Sequence, residues 1–143
     1  MDYRKIGDHY VVRIDKGEEV VEEIMNVCRN ADIHLGVISG LGAARVIESG
    51  FFDTYSKNFQ KEHCEGIFEI TSLTGNVTRK DGEVYLHIHI TYSDDAGRVY
   101  GGHLAKCIIS ATAEIFITEI AGGVERRFSD EIGLNLLAFG DNC

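Results

Sequence analysis

The chain has 143 residues, 44% of them hydrophobic and 26% charged, with 23 Asp and Glu against 14 Lys and Arg for a formal charge of −9. That length suits one domain able to bury roughly two-thirds of its unfolded surface without disulfides. No apolar run approaches the ~18–20 residues that span a bilayer, and Met1 to His9 lack the apolar core of a signal peptide. A cytoplasmic protein with no membrane partner is therefore expected. The acidic balance weighs against a duplex-binding module, because phosphate contacts need a basic face. Pro is absent, which excludes PxxP segments, Pro-rich linkers and an Arg-Gly-Arg-Pro minor-groove hook. Cys28, Cys64, Cys107 and Cys143 form no CxxC pair and read as core or idle thiols.

In chain order, Tyr10 to Ile14 predicts a short strand. Asp15 and Glu18 have capping-box spacing, and Glu18, Glu19, Glu22 and Glu23 suit the positive end of a helix dipole. Val20, Val21, Ile24, Val27 and Cys28 recur at helical spacing, which predicts an amphipathic helix from residue 18 to about residue 30. Leu35 to Ser39 is a compact apolar strand, ended by the turn Gly40-Leu41-Gly42-Ala43. Val46, Ile47, Phe51 and Phe52 belong to a following strand interrupted by Gly50. Gly66 to Val77 alternates as a long strand, and Lys80-Asp81-Gly82-Glu83 carries the Asp-Gly signal of a tight hairpin. Val84 to Thr91 and Arg98 to Leu104 are strands joined through Ser93 to Gly97. Thr112 to Ile120 and Leu134 to Phe139 complete the set, and Ile108 to Ala113 fits either a strand or a short helix. The expected fold class is α+β: a single domain over residues 1–143, with one main helix and a largely antiparallel sheet of about seven strands.

Tyr85-Leu86-His87-Ile88-His89-Ile90-Thr91 is the segment richest in chemistry. Strand alternation turns Leu86, Ile88 and Ile90 to the core and projects His87 and His89 together from the other face. His103, in Gly101-Gly102-His103-Leu104, joins them in one register only. If Ser93 and Val99 flank the turn, His103 lies opposite His89; if Ser93 and Arg98 flank it, His103 points inward unless the glycines form a bulge. Three imidazoles with a fourth position open to water is the arrangement of catalytic zinc, although other divalent metals accept the same ligands.

The other motifs carry less. Ser39-Gly40-Leu41-Gly42 lacks the third glycine and the helix of a dinucleotide fingerprint, and reads as close packing in a turn. There is no Gly-x-Ser-x-Gly elbow. A Cys107–His103 pair has only nearness in sequence behind it. His9, His34 and His63 are isolated. Glu114 stands in an apolar strand, where a buried acid needs a partner. It fits a salt bridge to Arg45, Arg126 or Arg127 first, and a carboxylate supporting a ligand imidazole second.

The order of Gly17-Glu18-Glu19, Ser39-Gly40-Leu41-Gly42-Ala43, Phe68-Glu69-Ile70, Leu73-Thr74-Gly75-Asn76, His87-Ile88-His89 and Gly101-Gly102-His103-Leu104 resembles the plants and prokaryotes conserved (PPC) domain family, from about Tyr10 to Phe139. The resemblance implies an α+β domain assembling as a homotrimer, with His87, His89 and His103 as ligands to a divalent metal, zinc foremost. In plant relatives a separate AT-hook contacts AT-rich DNA, and the missing Pro removes that part of the analogy. The leading expectation is a metal-binding homotrimer with a small molecule at the metal and a hydrolytic step. Its rivals are a DNA-associated regulator and an assembly module without metal.

Overall fold

The computed structural model describes residues 1–140, and Cys143 lies outside them. Eight strands and one helix follow in the order β1 (Asp2–Ile6), β2 (His9–Asp15), α1 (Val20–Asn30), β3 (Gly36–Asp53), β4 (Asn58–Lys80), β5 (Glu83–Asp94), β6 (Val99–Glu119), β7 (Glu125–Ser129) and β8 (Leu134–Ala138). They form one eight-stranded sheet in the order β1-β2-β6-β3-β4-β7-β8. β5 stands off that path and pairs with both β4 and β6. Since β3 also pairs with both β4 and β6, the strands β6, β3, β4 and β5 close a ring. All its ladders are antiparallel, as the sequence predicts for this sheet.

The sheet has eight strands where about seven are expected; two pairs of expected segments merge into one strand each, and two strands are additional. The Gly40-Leu41-Gly42-Ala43 segment is not a turn. β3 runs through it with register shifts between Gly40 and Gly42 and between Ala44 and Val46. These glycines admit a neighbouring strand: a Cβ on Gly42 would stand 2.6 Å from the Thr112 carbonyl oxygen. Likewise Ile108 to Ala113 is strand, so Arg98–Leu104 and Thr112–Ile120 belong to the single β6. β1 and β7 are additional; both are five-residue strands, and β1 is exposed throughout. Polar, exposed strands leave little alternation to read.

The helix starts two residues later than its acidic run suggests. Glu19 is its N-cap, accepting the Glu22 N–H at 2.7 Å. The Glu18 carboxylate instead accepts the Asp15 N–H at 2.7 Å, closing the turn before the helix, and pairs with the N-terminal ammonium. Val20, Ile24, Val27 and Cys28 form the buried face of α1. They join Val12, Ile14, Ile38, Val77, Ile115 and Ile117 in one core, where each fully buried large aliphatic contributes about 1.5–3 kcal/mol of burial free energy. A further tie comes from Glu19, whose carboxylate accepts the Cys107 N–H of β6 at 2.8 Å. Cys28 and Cys107 are buried within this core, and Cys64 packs at its edge. No helix among the described residues is long and apolar enough to cross a membrane.

Candidate metal centre

β5 alternates as its sequence demands. Ile88 and Ile90 are each only 2% exposed, while His87 and His89 leave the opposite face of the strand with their Nε2 atoms 3.2 Å apart. The neighbouring hairpin settles the register of the third histidine. Ser93 pairs with Val99, Thr91 with Gly101 and His89 with His103, with no bulge. Asp94 fixes that turn: its carboxylate accepts the Ala96 and Arg98 N–H groups at 3.0 and 2.9 Å, the Arg98 guanidinium at 2.7 Å and the Tyr100 hydroxyl at 3.2 Å.

His103 lies where three strands meet, opposite His89 on β5 and Gly50 on β3. The preceding glycines make the approach possible, because a Cβ on Gly102 would stand 2.5 Å from the Gly50 carbonyl oxygen and one on Gly101 2.7 Å from that of Ile90. Phe59 meets the His103 ring edge-on, with centroids 5.6 Å apart.

One potential ligand nitrogen from each of the three histidines lies within 4.8 Å of the other two. Two nitrogens bound at about 2.0–2.1 Å to a tetrahedral zinc stand about 3.3 Å apart, so the His87–His89 spacing fits such an ion. Protonation is disfavoured there. Burial, followed by the neighbouring His103, His89 and Arg126, depresses His87 to about 4. Burial, with His89, also lowers His103. Neutral imidazole is the form that ligates a metal.

A feature that no local pattern announces is Arg126. It comes from β7 and is 6% exposed. Its Nε donates to the Thr78 hydroxyl at 2.8 Å, Nη1 to the Asn135 carbonyl at 2.8 Å and Nη2 to the Asn76 side-chain oxygen at 2.9 Å. The guanidinium lies over the Tyr85 ring, 4.8 Å from its centroid. Asn76 is the cross-strand partner of His87, which places this cation beside the histidines. Only the long-range packing of β7 reveals it.

The remaining candidates stand elsewhere. Glu114 is exposed, opposite Arg13 and Leu41 on the adjoining strands, so the burial expected of it is corrected. Among the described residues the groups that Arg126 bonds are all neutral, and Glu114 is not one of them. His9 approaches Thr118 at 3.0 Å, His34 approaches Asp32 at 3.2 Å and His63 lies between Glu48 and Glu65. None of these belongs to the three-histidine cluster.

The arrangement defines a small α+β domain with a half-buried three-histidine site at the seam of a closed ring of strands. The chain belongs to the Plants and Prokaryotes Conserved domain family, whose profile matches residues 1–121. A candidate DNA-binding protein from Bacteroides thetaiotaomicron is similar at 30% identity and a TM-score of 0.94, with 96% of each chain covered. A metal-containing protein from Archaeoglobus fulgidus is similar at 33% identity and a TM-score of 0.87, with 97% of this chain and 99% of that one covered. Among curated proteins, the bifunctional protein GlmU of a Synechococcus strain is 30% identical over 122 residues, 84% of this chain. The chain spans only 18% of the length of that relative.

Proposed function

We propose that the protein binds one divalent metal, zinc foremost, through His87, His89 and His103, and presents it to a small molecule. The observation that carries this reading is the convergence of three imidazole nitrogens within 4.8 Å, two of them from burial-depressed histidines. The Archaeoglobus relative, described as metal-containing, supports it. Three protein ligands leave a tetrahedral ion one free position, as in catalytic rather than structural zinc sites. The bound metal would supply Lewis-acid chemistry suited to a hydrolytic step. Around it the chain's own groups divide the work: Asp94 holds the β5–β6 register, Phe59 shields one edge of His103, and Gly101 and Gly102 let the strands close. Elemental analysis of protein purified without added metal is expected to give about one equivalent, falling to near zero in H87A/H89A. A content near zero in the wild-type protein, unchanged by those substitutions, overturns the reading.

Assembly as a homotrimer is part of the same proposal. Phe116 on β6 pairs across the ladder with Ser39 on β3, between Val37 and Leu41. These three large apolar residues are 44–55% exposed and make a patch suited to burial against another copy. Sedimentation equilibrium at three times the protomer mass is the expected result. The competing reading, DNA association, draws on the description of the Bacteroides relative. It requires duplex affinity with a steep salt slope, and the −9 charge opposes it. No duplex binding at low salt is expected.

A further inference from the structure

We propose that the centre takes a small carboxylate anion, held jointly by the metal and by Arg126. This deepens the metal reading and rests on it. A guanidinium is among the costliest groups to bury, and proteins ordinarily pair it with an acid. Arg126 is 6% exposed, yet among the described residues its side-chain partners are a hydroxyl, a backbone carbonyl and an amide oxygen. None of them carries charge. Three of its five N–H groups are used in these bonds, which leaves two for a ligand.

The position is as informative as the lack of an acid among the described residues. Asn76, 2.9 Å from Nη2, faces His87 across the β4–β5 ladder, a separation of about 5 Å between Cβ atoms. Tyr85, beneath the guanidinium, lies two residues before His87 and therefore on the same face of β5. Arg126 thus overhangs the face from which the three imidazoles project. A divalent ion on three neutral ligands, with a fixed cation beside it, has positive charge to spare, and among the described residues no carboxylate joins the cluster to balance it. A carboxylate answers both needs: one oxygen takes the open metal position and the other accepts from the guanidinium in a charge-assisted hydrogen bond. The protein's net charge of −9 makes this pocket of positive potential a local construction.

Arg126 lies beyond residue 121, where the family profile ends. The metal ligands therefore belong to the shared domain, whereas the anion-holding group comes from the C-terminal hairpin.

The test uses the full chain loaded with Co²⁺, whose visible bands report both metal uptake and changes at the open position. Acetate is expected to shift those bands saturably, and neutral acetamide to leave them unmoved. In R126Q the acetate affinity falls at least about tenfold while Co²⁺ uptake persists, the loss expected for one charge-assisted contact. Because Arg126 also pins the hairpin, N76D supplies a second arm. Its carboxylate gives the guanidinium an internal partner without changing side-chain size, so the fold is kept and acetate binding weakens by a similar factor. A purely structural role for Arg126 predicts that N76D binds acetate as the wild-type protein does, which overturns the proposal. Co²⁺ uptake with no response to acetate overturns this inference alone. No Co²⁺ uptake overturns the metal reading and this inference with it.

Discussion

His63 on β4 and His87 on β5 belong to the same sheet and experience opposite environments. His63 is exposed, with its two ring nitrogens 3.2 Å from Glu48 and 3.0 Å from Glu65. The hydrogen bonds to Glu65 and Glu48 raise it above the ordinary histidine value. Burial first, and then two other imidazoles and a guanidinium, hold the half-buried His87 down at about 4. Both are histidines with close neighbours, so proximity alone does not make a metal ligand. What separates them is burial and the charge of those neighbours: acids stabilise the imidazolium, whereas burial and cations keep the ring neutral with a lone pair to share.

The sharpest way to break this contrast is to remove one ring from each site. H103A is expected to weaken zinc binding by two orders of magnitude or more, since two imidazoles make a much poorer site than three, and H63A to leave it unchanged. Calorimetric zinc titration reads both. Equal losses would mean that His63 shares in binding. A subtler perturbation leaves every ligand intact. In D94A the turn loses the carboxylate that bonds Ala96, Arg98 and Tyr100, and the β5–β6 register that sets His103 against His89 loosens. Outer groups that orient ligands are worth about 10–100-fold in metal affinity, so a tenfold loss is expected with the fold retained. An unchanged affinity would show that the strands hold register without the turn.

Protonation distinguishes the two sites most gently. His87 is depressed in the folded chain, so between about pH 6.5 and pH 4 the unfolded chain binds more protons. Its contribution is complete above about pH 6.5 and is lost on acidification toward pH 4. His63 runs the other way. Its folded value is raised, so its contribution is full below pH 6.5 and is lost as pH rises through the raised value. NMR titration of metal-free protein should show His63 gaining its proton before His87 on acidification. The reverse order would overturn the contrast.

How much of this was legible in the sequence depended on range. The period-two alternation around His87 and His89 is local, and it survives folding intact. The Asp81-Gly82 hairpin is equally local: both residues adopt positive φ, 52° and 83°, and β4 and β5 pair up to Lys80 and Glu83. His103 was legible only as a condition, because two registers were open and the Asp94 hydrogen bonds select one. Gly40, Gly42 and Gly50 read as interruptions because a glycine signals a turn and a tight strand crossing with the same letter. Only the position of Thr112 and Gln60 across the ladder distinguishes them. Arg126 was beyond reach: nothing near it in sequence says that its partners are Asn76, Thr78 and Asn135.

β6 is shared by three ladders, with β2, β3 and β5, and it carries His103. During synthesis the His87–His89 pair emerges first, on a strand whose partner β4 is already made. The third histidine of the proposed site follows with β6, the same strand that closes the ring and receives β2, pairing Val11 with Phe116 across most of the chain. Such distant pairings are slow to form. For the proposed site, assembly order would act as a checkpoint on metallation: a chain ending before β6 holds two of its three imidazoles, and the third arrives with the strand that completes the ring.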